Sequence, residues 1–406
     1  MENDTNSLNQ TPRGERLHIG VYGRRNAGKS SLINAICRHD VALVSDVAGT
    51  TTDPVYKSIE LHGLGPCVLI DTPGFDDEGT LGSLRVERTR DAVDRTDLAI
   101  LVWDAELSSD DPLEKEAEWI SLLKEKNVPI LAIINKCDRN PAPEALDARI
   151  RERFGLEPVR LTATDPKAQS IVRTALLRLL PEDIQAHSLT GRFVREKDVV
   201  LLVMPQDIQA PKGRLILPQV QTIRDLLDHH AVVLSVTAGE IDDALAALKE
   251  PPALIITDSQ VFPLVYEKKP KESKLTSFSI LLAAVKGDIQ KLVEGADAID
   301  RLTGQSRILI AEACTHAPLD EDIGRVKIPA LLRKRLGQQL RIDVVSGTDF
   351  PEDLTPYDLI VHCGACMFNR NYLLSRMDYA EQAHVPMTNY GVLLAKLNKI
   401  LDKVDY

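Results

Sequence analysis

The sequence predicts an α/β protein of three domains with mostly parallel sheets. Short apolar runs alternate with amphipathic helical patterns along most of the 406 residues, which is typical of parallel α/β folds. Two polar or charged stretches, 181–190 and 267–274, interrupt the alternation and indicate domain boundaries. We therefore expect a disordered tail at 1–16 and folded domains at 17–182, 191–272 and 276–406.

The composition limits the classes of partner and compartment. Hydrophobic residues make up 44% of the chain, no run of 18 or more apolar residues occurs, and the first residues are polar. We therefore expect no membrane span and no secretory signal, and a cytoplasmic location in which cysteines stay reduced. The formal net charge of −11 argues against a general polyanion binder, so we expect no nucleic-acid partner.

A phosphate-binding loop opens the first domain. The apolar strand 17–22 runs into Gly-Arg-Arg-Asn-Ala-Gly-Lys-Ser at 23–30, and a helical pattern follows. This arrangement is typical of the P-loop, in which backbone N–H groups surround phosphates at a helix N-terminus. Lys29 is expected to contact the β- and γ-phosphates and Ser30 to ligate Mg²⁺. The predicted nucleotide-binding residues of this loop are Gly23, Asn26, Ala27, Gly28, Lys29, Ser30 and Ser31.

A second motif, Asp-Thr-Pro-Gly at 71–74, follows the apolar strand 68–70. Asp71 is expected to hold the water shell of Mg²⁺, and the Gly74 N–H is expected to meet the γ-phosphate. Both residues follow the P-loop in the order that phosphate-hydrolysing P-loop proteins require.

Two later motifs predict recognition of the base. Asn-Lys-Cys-Asp at 135–138 ends the strand 129–134, and the Asp138 carboxylate can accept from the N1–H and N2–H groups of guanine, which adenine does not offer. A Thr-Ala pair at 162–163 follows the strand 158–161 and is expected to close over the base. Four motifs in this order predict a GTPase domain. Its predicted base-contacting residues are Asn135, Lys136, Asp138, Thr162 and Ala163.

Residues 16–182 resemble the TrmE/Era-type GTPases. The sequence Gly-Thr-Thr-Thr-Asp at 49–53 is similar to the switch I sequence of that group, with Thr52 in place of an arginine. The resemblance implies that Thr51 binds Mg²⁺ and that Asn26 binds K⁺. Phe75 stands where Ras-like proteins carry a water-positioning glutamine, so we expect slow hydrolysis stimulated by K⁺. The predicted catalytic residues are Lys29, Ser30, Thr51, Asp71 and Gly74.

The middle domain, 191–272, reads as a small α/β unit. Apolar strands at 198–205, 231–236 and 253–256 alternate with helical patterns, which favours a parallel sheet. A sheet of about 80 residues is small for an independent domain and gains stability by pairing an exposed edge with a second copy. We therefore expect dimerisation here. Asp207 follows the first strand and either caps a turn or serves as a metal ligand.

The last domain carries three of the six cysteines. Cys314 follows the strand 307–312, and Cys363 and Cys366 follow the strand 358–361. Sites in parallel α/β sheets form at the carboxyl ends of strands, so the three thiols are expected to meet. Gly364 is expected to permit the tight turn between the last two. Thr276 is expected to cap a helix over 277–285.

Three thiols are compatible with several kinds of site. They suit an iron–sulfur cluster with one open corner, or a Cys₃His zinc site completed by His316 or His362. A redox Cys-x-x-Cys pair would leave Cys314 unexplained, and three unrelated buried cysteines are the remaining possibility. The other cysteines, Cys37, Cys67 and Cys137, show no ligand spacing and read as structural.

The combination of these domains resembles the FeFe-hydrogenase maturation GTPases over essentially the whole chain after the tail. The resemblance implies a 4Fe-4S cluster with an exchangeable fourth position, held by Cys314, Cys363 and Cys366. It also implies a carrier that dimerises, receives a diiron subcluster precursor from radical-SAM hydrogenase maturases and transfers it to apo FeFe-hydrogenase. His316, His362 and Asp207 remain candidates for the fourth ligand, and the two histidines also for hydrogen bonding around the cluster.

A second functional interpretation is an RNA- or ribosome-associated GTPase whose cysteines hold structural zinc. Residues 276–406 carry slightly more acidic than basic side chains, and they show no G-x-x-G clamp or basic patch with interleaved aromatic residues. These features favour the scaffold. The sequence shows no residue that must connect the domains.

Overall fold

The computed structural model divides the chain into two compact units, 1–185 and 186–406. We describe each unit by itself. For residues 80–84 only the backbone is described. The residues that the structure describes are 14, 16–37, 54–62, 64–76, 80–140, 143–180, 188–205, 215–313 and 323–406.

Four predicted residues therefore lie outside the described part of the chain. They are Thr51, Asp207, Cys314 and His316. Among the helices that the structure does describe, none is long and apolar enough to cross a membrane.

The first unit is built on a six-stranded sheet in the order β2-β3-β1-β4-β5-β6. All neighbouring strands are parallel except β2 and β3, which are antiparallel. The predicted P-loop fold with a mostly parallel sheet is confirmed. Its strands are β1 (Leu17–Gly23), β2 (Val55–Leu61), β3 (Gly65–Asp71), β4 (Leu98–Asp104), β5 (Ile130–Asn135) and β6 (Val159–Arg160).

Helices cover both faces of this sheet. One face packs against apolar residues of the first and last helices, and the other contains both tryptophans, Trp103 and Trp119. The central strands β1, β4 and β5 read as continuous apolar runs because they are buried on both faces. The helices are α1 (Lys29–Cys37), α2 (Thr80–Val93), α3 (Glu114–Glu125), α4 (Glu144–Phe154) and α5 (Ala168–Leu179).

The second unit contains two four-stranded parallel sheets. The middle sheet has the order β10-β9-β7-β8 and the last sheet the order β12-β11-β13-β14. The middle sheet consists of β7 (Val199–Val203), β8 (Val232–Val236), β9 (Leu254–Thr257) and β10 (Lys274–Ser277). The last sheet consists of β11 (Arg307–Glu312), β12 (Arg341–Ser346), β13 (Leu359–His362) and β14 (Met387–Asn389).

The two sheets share helices and core. One buried cluster contains Leu201 and Ile255 of the middle sheet together with Leu309 and Ile360 of the last sheet. The helices of this unit are α6 (Leu217–Asp228), α7 (Ile241–Ala247), α8 (Phe262–Lys268), α9 (Phe278–Lys286), α10 (Ile289–Asp297), α11 (Ile328–Leu336), α12 (Arg370–Gln382) and α13 (Tyr390–Leu397).

Helix α9 joins the two sheets, and its start corrects one prediction. The cap is Ser277, not Thr276, because the Ser277 side chain accepts from the Ile280 N–H while Thr276 belongs to β10. The charged stretch 267–274 contains the end of α8 and the first residue of β10, so it is more ordered than a linker. The middle sheet therefore ends directly at the helix that leads to the cysteine-containing region.

Candidate functional site

The phosphate loop has the backbone that anion binding requires. Gly28 has a φ of +95°, and a Cβ at this position would lie 2.2 Å from the Asn135 side-chain nitrogen, so only glycine fits. Asn26 also lies in the left-handed region, with a φ of 62°. This geometry turns the chain sharply from β1 into α1 and directs backbone N–H groups at the start of the helix into one space.

Lys29 lies folded onto the loop. It is 8% exposed, and its Nζ donates to the carbonyl oxygens of Gly23 and Arg24, both at 2.9 Å. Both acceptors are neutral carbonyls. Charged phosphate oxygens are stronger acceptors, so a bound phosphate can replace these carbonyls as the partner of the ammonium. The ammonium group of the predicted phosphate-binding lysine is thus held against the loop by its own backbone.

Asn135 connects the phosphate loop to the base-binding loops. Its Nδ2 donates to the Ala27 carbonyl at 2.9 Å, and its Oδ1 accepts from the Ala163 N–H at 2.9 Å. The side chain is 2% exposed, so both hydrogen bonds are shielded from water. Asn135 therefore acts as an internal brace between the two loops. The sequence motif alone could not show whether its side chain braces the loops or contacts the nucleotide.

Two of the predicted base-contacting residues, Asp138 and Thr162, lie next to each other. The Asp138 N–H donates to the Thr162 hydroxyl at 3.0 Å, which leaves the exposed Asp138 carboxylate facing solvent. Lys136 donates to Asp104 at 2.6 Å. Sequence reasoning missed Asp104, although its position at the end of β4, next to the strand that carries the motif, is a usable signal.

The Asp-Thr-Pro-Gly segment approaches the phosphate loop from β3. A Cβ on Gly74 would lie 2.7 Å from the Arg25 backbone nitrogen, so a larger residue cannot pass this close. Phe75 is 2% exposed and stacks on Trp119 with ring centroids 5.7 Å apart. Phe75 therefore fills the core and cannot position an attacking water.

Arg24 is a further residue that sequence reasoning did not single out. Its guanidinium binds Asp111 through two contacts of 2.6 and 2.7 Å and Glu116 at 2.6 Å. Glu116 is 2% exposed, so Arg24 compensates a buried carboxylate. Arg24 also holds the pKa of Asp111 below its usual value. This network fixes the phosphate loop to the start of α3.

The second site is the turn after β13, which contains Cys363 and Cys366 (the cysteine turn). β11 and β13 are paired neighbours, with Ala311 opposite His362. The Ala313 N–H donates to the Cys363 Sγ at 3.0 Å. Because Ala313 directly precedes Cys314, this bond holds the chain next to Cys314 at the Cys363 sulfur. The prediction that the two strand ends approach each other agrees with this contact.

The turn itself differs from the prediction in one detail. Its left-handed residue is Ala365, with a φ of 52°, and not Gly364. The Cys363 thiol accepts backbone N–H groups from Ala313 and Ala365. N–H donors aimed at sulfur suit a thiolate that ligates metal, so the donor set fits a metal centre.

The Cys363 and Cys366 thiols are not paired in a disulfide, and both residues are half-buried. Burial raises the pKa of the Cys363 thiol to about 11, while the two N–H donors act in the opposite direction. Metal coordination would remove the proton, because the thiolate is the ligand. Among the described residues, no three His, Cys, Asp or Glu side chains form a metal-binding group.

His362 lies behind the turn and not at its surface. It is completely buried; one ring nitrogen lies 2.9 Å from the Cys363 carbonyl and the other 3.0 Å from the Arg376 guanidinium. A guanidinium only donates, so Nε2 is assigned as the acceptor and Nδ1 as the donor to the carbonyl. Burial and then the neighbouring Arg376 lower the pKa of His362 to about 3. Of the two predicted roles, this geometry favours hydrogen bonding around the cysteines.

Comparison with protein families assigns a description to each part of the chain. Residues 18–136 match the 50S ribosome-binding GTPase family model. Residues 189–287 match the Hydrogen maturase F dimerization domain, and residues 290–404 match the Hydrogen maturase F tetramerization domain.

Curated relatives match the GTPase part. The tRNA modification GTPase MnmE of Bordetella parapertussis is 31% identical over 208 residues, which are 48% of this chain and 45% of that protein. GTPase Der of Wolinella succinogenes is 32% identical over 157 residues, 38% of this chain and 32% of that protein. The chain thus spans less than half the length of these relatives.

Solved structures show a distant likeness. Era in complex with MgGDPNP and 16S ribosomal RNA has a TM-score of 0.33 and 18% identity, covering 54% of this chain and 91% of that chain. NFeoB from S. thermophilus bound to GDP, AlF₄⁻ and K⁺ has a TM-score of 0.30 and 18% identity, covering 41% and 64%.

Proposed function

The chain belongs to the hydrogen maturase F (HydF) family, and on that basis we propose that it is a GTP-hydrolysing scaffold for assembly of the FeFe-hydrogenase metal centre. Its cargo is a diiron subcluster precursor, received from radical-SAM hydrogenase maturases and delivered to apo FeFe-hydrogenase. Its resident cofactor is a 4Fe-4S cluster. The three domain descriptions, in their order along the chain, support this proposal.

One observation carries the cluster assignment. The Ala313 N–H is hydrogen-bonded to the Cys363 sulfur, which brings the residue before Cys314 to the Cys363–Cys366 turn. Cys314, Cys363 and Cys366 are the ligands of the cluster in this proposal. Three thiolates leave one iron open, and that iron supplies an exchangeable coordination position.

Anaerobic reconstitution with iron and sulfide tests the assignment. We expect the full chain to give the EPR signal of a reduced cluster and a Cys314→Ser/Cys363→Ser/Cys366→Ser variant to lose it. Cys37→Ser is the matched control, because Cys37 lies at the end of α1 in the other unit. Tight zinc binding without a cluster signal would instead favour the structural-zinc interpretation.

The GTPase unit supplies the switch in this proposal. Lys29 and Ser30 bind the phosphates and Mg²⁺, Thr51 and Asp71 complete the Mg²⁺ site, and Gly74 senses the γ-phosphate. Asn26 is the proposed K⁺ ligand. The buried position of Phe75 supports slow intrinsic hydrolysis, since no side chain at that position reaches solvent to orient a water.

Hydrolysis rates measured in K⁺ and in Na⁺ test the cation. We expect several-fold faster turnover in K⁺, and an Asn26→Ala variant that turns over equally slowly in both salts. Equal rates for the unaltered chain would remove K⁺ from the proposal while leaving the GTPase assignment intact.

Self-association is the third part of the proposal. The matched family domains are named for dimerization and tetramerization. Strand β8 is an edge of the middle sheet, and its Val232 is 54% exposed, so it offers unpaired backbone groups and apolar surface to a second copy. We expect Val232→Lys to reduce the molar mass found by light scattering. Ile171→Lys, at an exposed apolar position of the GTPase unit, is the control and should leave it unchanged.

A further inference from the structure

A lysine from the middle part of the chain lies beneath the cysteine turn. Lys286 is the last residue of α9 and is 5% exposed. Its Nζ donates to the carbonyl oxygens of Phe368 at 2.8 Å, Ala365 at 3.1 Å and Cys366 at 3.3 Å. Three carbonyls of the cysteine turn therefore share one ammonium group.

The three carbonyl acceptors favour the protonated form of Lys286. Carbonyl oxygens only accept, so three hydrogen bonds need three N–H protons, and only the charged –NH₃⁺ form has three. A positive charge is thus held inside the protein against the backbone of a proposed cluster ligand, where its electrostatic effect is less screened than at the surface.

The hydrogen bonds also set the direction of the turn's amides. In a trans peptide the C=O and N–H groups point in opposite directions. When Lys286 draws the Ala365 and Cys366 carbonyls towards itself, the N–H groups of the same peptides point away from α9. Backbone N–H groups that point to one side provide positive potential for an anion there.

A second buried cation supports the same turn. Arg376 is 4% exposed, contacts His362 at 3.0 Å, and lies over the rings of Phe350, Phe368 and Tyr372 at 4.6–4.8 Å from their centroids. Through His362 it acts on the Cys363 carbonyl. The carbonyls of the turn are thus bound directly by Lys286, and by Arg376 through His362.

Lys286 reaches the turn from a different part of the fold. Phe278, Leu281 and Leu282 of the same helix pack with Leu202 of the middle sheet in one buried cluster, and Cys366 packs against that cluster. Family matching divides the chain at the same place, since the dimerization match ends at residue 287 and the tetramerization match begins at 290. The helix that carries Lys286 therefore connects the two regions.

We propose that Lys286 is a positioning residue for the cluster site: it orients the cysteine turn and, through its charge, stabilises the reduced form of the bound cluster. This inference rests on the proposed function. One-electron reduction by an external reductant adds one negative charge to the cluster. A nearby buried cation lowers the free energy of that form, so Lys286 raises the reduction potential. It makes the region matched by the dimerization-domain model a part of the metal site.

An EPR-monitored redox titration of the reconstituted full chain tests this role. At the potential where half of the unaltered protein is reduced, we expect the ratio of reduced to oxidised cluster in Lys286→Met to be about tenfold lower. For one electron this is a midpoint potential about 59 mV lower. Lys286→Arg keeps the charge and is expected to stay within about threefold. Lys291→Met is the matched control, because Lys291 is exposed on α10 and pairs with Glu381.

The outcomes separate this inference from the proposed function. No cluster in the unaltered chain would overturn the proposed function. A cluster in that chain, with an unchanged midpoint in Lys286→Met or an equal shift in Lys291→Met, would overturn only the role of Lys286. Lys286→Gln, which keeps a donor without charge, replaces the methionine variant if that variant does not fold. If neither neutral variant folds, Lys286 is a structural residue and the electrostatic role is rejected.

Discussion

Two buried lysines, in different regions of the molecule, make the same kind of contact: each donates to main-chain carbonyl oxygens. Lys29 donates to the carbonyls of Gly23 and Arg24 in the phosphate loop. Lys286 donates to three carbonyls of the cysteine turn, including those of Ala365 and Phe368. Each acts on a loop or turn that follows a strand of a parallel sheet, and each is at most 8% exposed.

The two lysines differ in where their partners come from. The acceptors of Lys29 lie five and six residues before it, within one motif. The acceptors of Lys286 lie about 80 residues after it and belong to another family domain. A lysine bound to its own loop can exchange those carbonyls for phosphate without disturbing the fold. A lysine that joins distant segments cannot leave without separating them, so it is a structural part of its site.

Replacing Lys29 by methionine gives the largest expected effect and tests the first half of this comparison. GTP affinity should fall about a thousandfold, because a charged donor to the phosphates is lost. The free energy of unfolding should fall by only about 1 kcal/mol, since Lys29 releases two carbonyls, of which that of Arg24 belongs to a half-buried residue. Titration with a fluorescent GTP analogue and chemical denaturation measure the two quantities. Lys57→Met, at a half-buried lysine of β2 that donates to Asn34, is the control.

Replacing Lys286 by methionine should give the opposite pattern. Loss of the ammonium removes a charged donor from three carbonyls of the cysteine turn, of which that of Ala365 is also bonded by the Phe368 N–H. We expect this loss to cost about 3 kcal/mol in the unfolding of the second unit. GTP affinity should stay unchanged. Both tryptophans, Trp103 and Trp119, belong to the first unit, so their fluorescence reports that unit alone.

Circular dichroism reports both units, and a transition that fluorescence does not follow belongs to the second. If Lys286→Met shifted only the tryptophan transition, the assignment of this lysine to the cysteine turn would be wrong. If Lys29→Met destabilised its unit by as much as 3 kcal/mol, the two lysines would not differ in the way that we propose.

The same contrast explains what the sequence could predict. The phosphate loop needs glycines, a lysine and a serine at fixed short spacings, so its residues are readable without a structure. Buried central strands are also readable, because they are continuous apolar runs between polar turns. The order of the motifs was sufficient for the GTPase fold.

Contacts between distant segments could not be predicted in this way. Lys286 ends a helix before a glycine, a common surface position for a lysine that favours the helix dipole. Its apolar neighbours indicate that the helix is buried, but they do not show which carbonyls the lysine reaches. Arg376 likewise sits in a helix of mixed polarity, and its aromatic partner Phe350 lies 26 residues away in the sequence.

Short edge elements were missed for a related reason. β2 is a partly exposed antiparallel strand and β14 has only three residues, so neither produces a strong periodic pattern. The charged run at 267–274 hides the start of β10, whose inner residues Leu275 and Thr276 are buried. Local composition therefore indicated a linker where the tertiary structure forms a sheet.

Asn135 extends the comparison from lysines to the side chains that brace each site. Its amide bonds to Ala27 and Ala163 are both buried, so Asn135→Ala leaves one donor and one acceptor without partners. We expect a loss of about 2 kcal/mol in the tryptophan-detected unfolding of the first unit. Asn34→Ala, at an exposed position of α1, is the control and should change it by less than about 0.5 kcal/mol. An equal effect at the two positions would show that Asn135 is not a brace.

His362 is the corresponding brace of the cysteine turn, and its replacement should give the smallest effect. It connects the Arg376 guanidinium to the Cys363 carbonyl, with one ring nitrogen for each. In His362→Gln the side-chain oxygen can still accept from Arg376 and the amide can still donate, so we expect a loss of about 1 kcal/mol in the second unit. Lys286 remains beneath the turn, and the cluster should be retained with at least about three-quarters of its EPR intensity.

His384→Gln is the control for His362, because His384 lies two residues after α12 and outside these contacts. Two results distinguish a brace from a ligand. A brace lowers stability slightly and leaves three-cysteine binding intact. A ligand has to give up the hydrogen bond of the ring nitrogen that reaches the metal, so replacing it would abolish or change the cluster signal. The second result would place His362 on the open iron and restrict Lys286 and Arg376 to support of a four-ligand site.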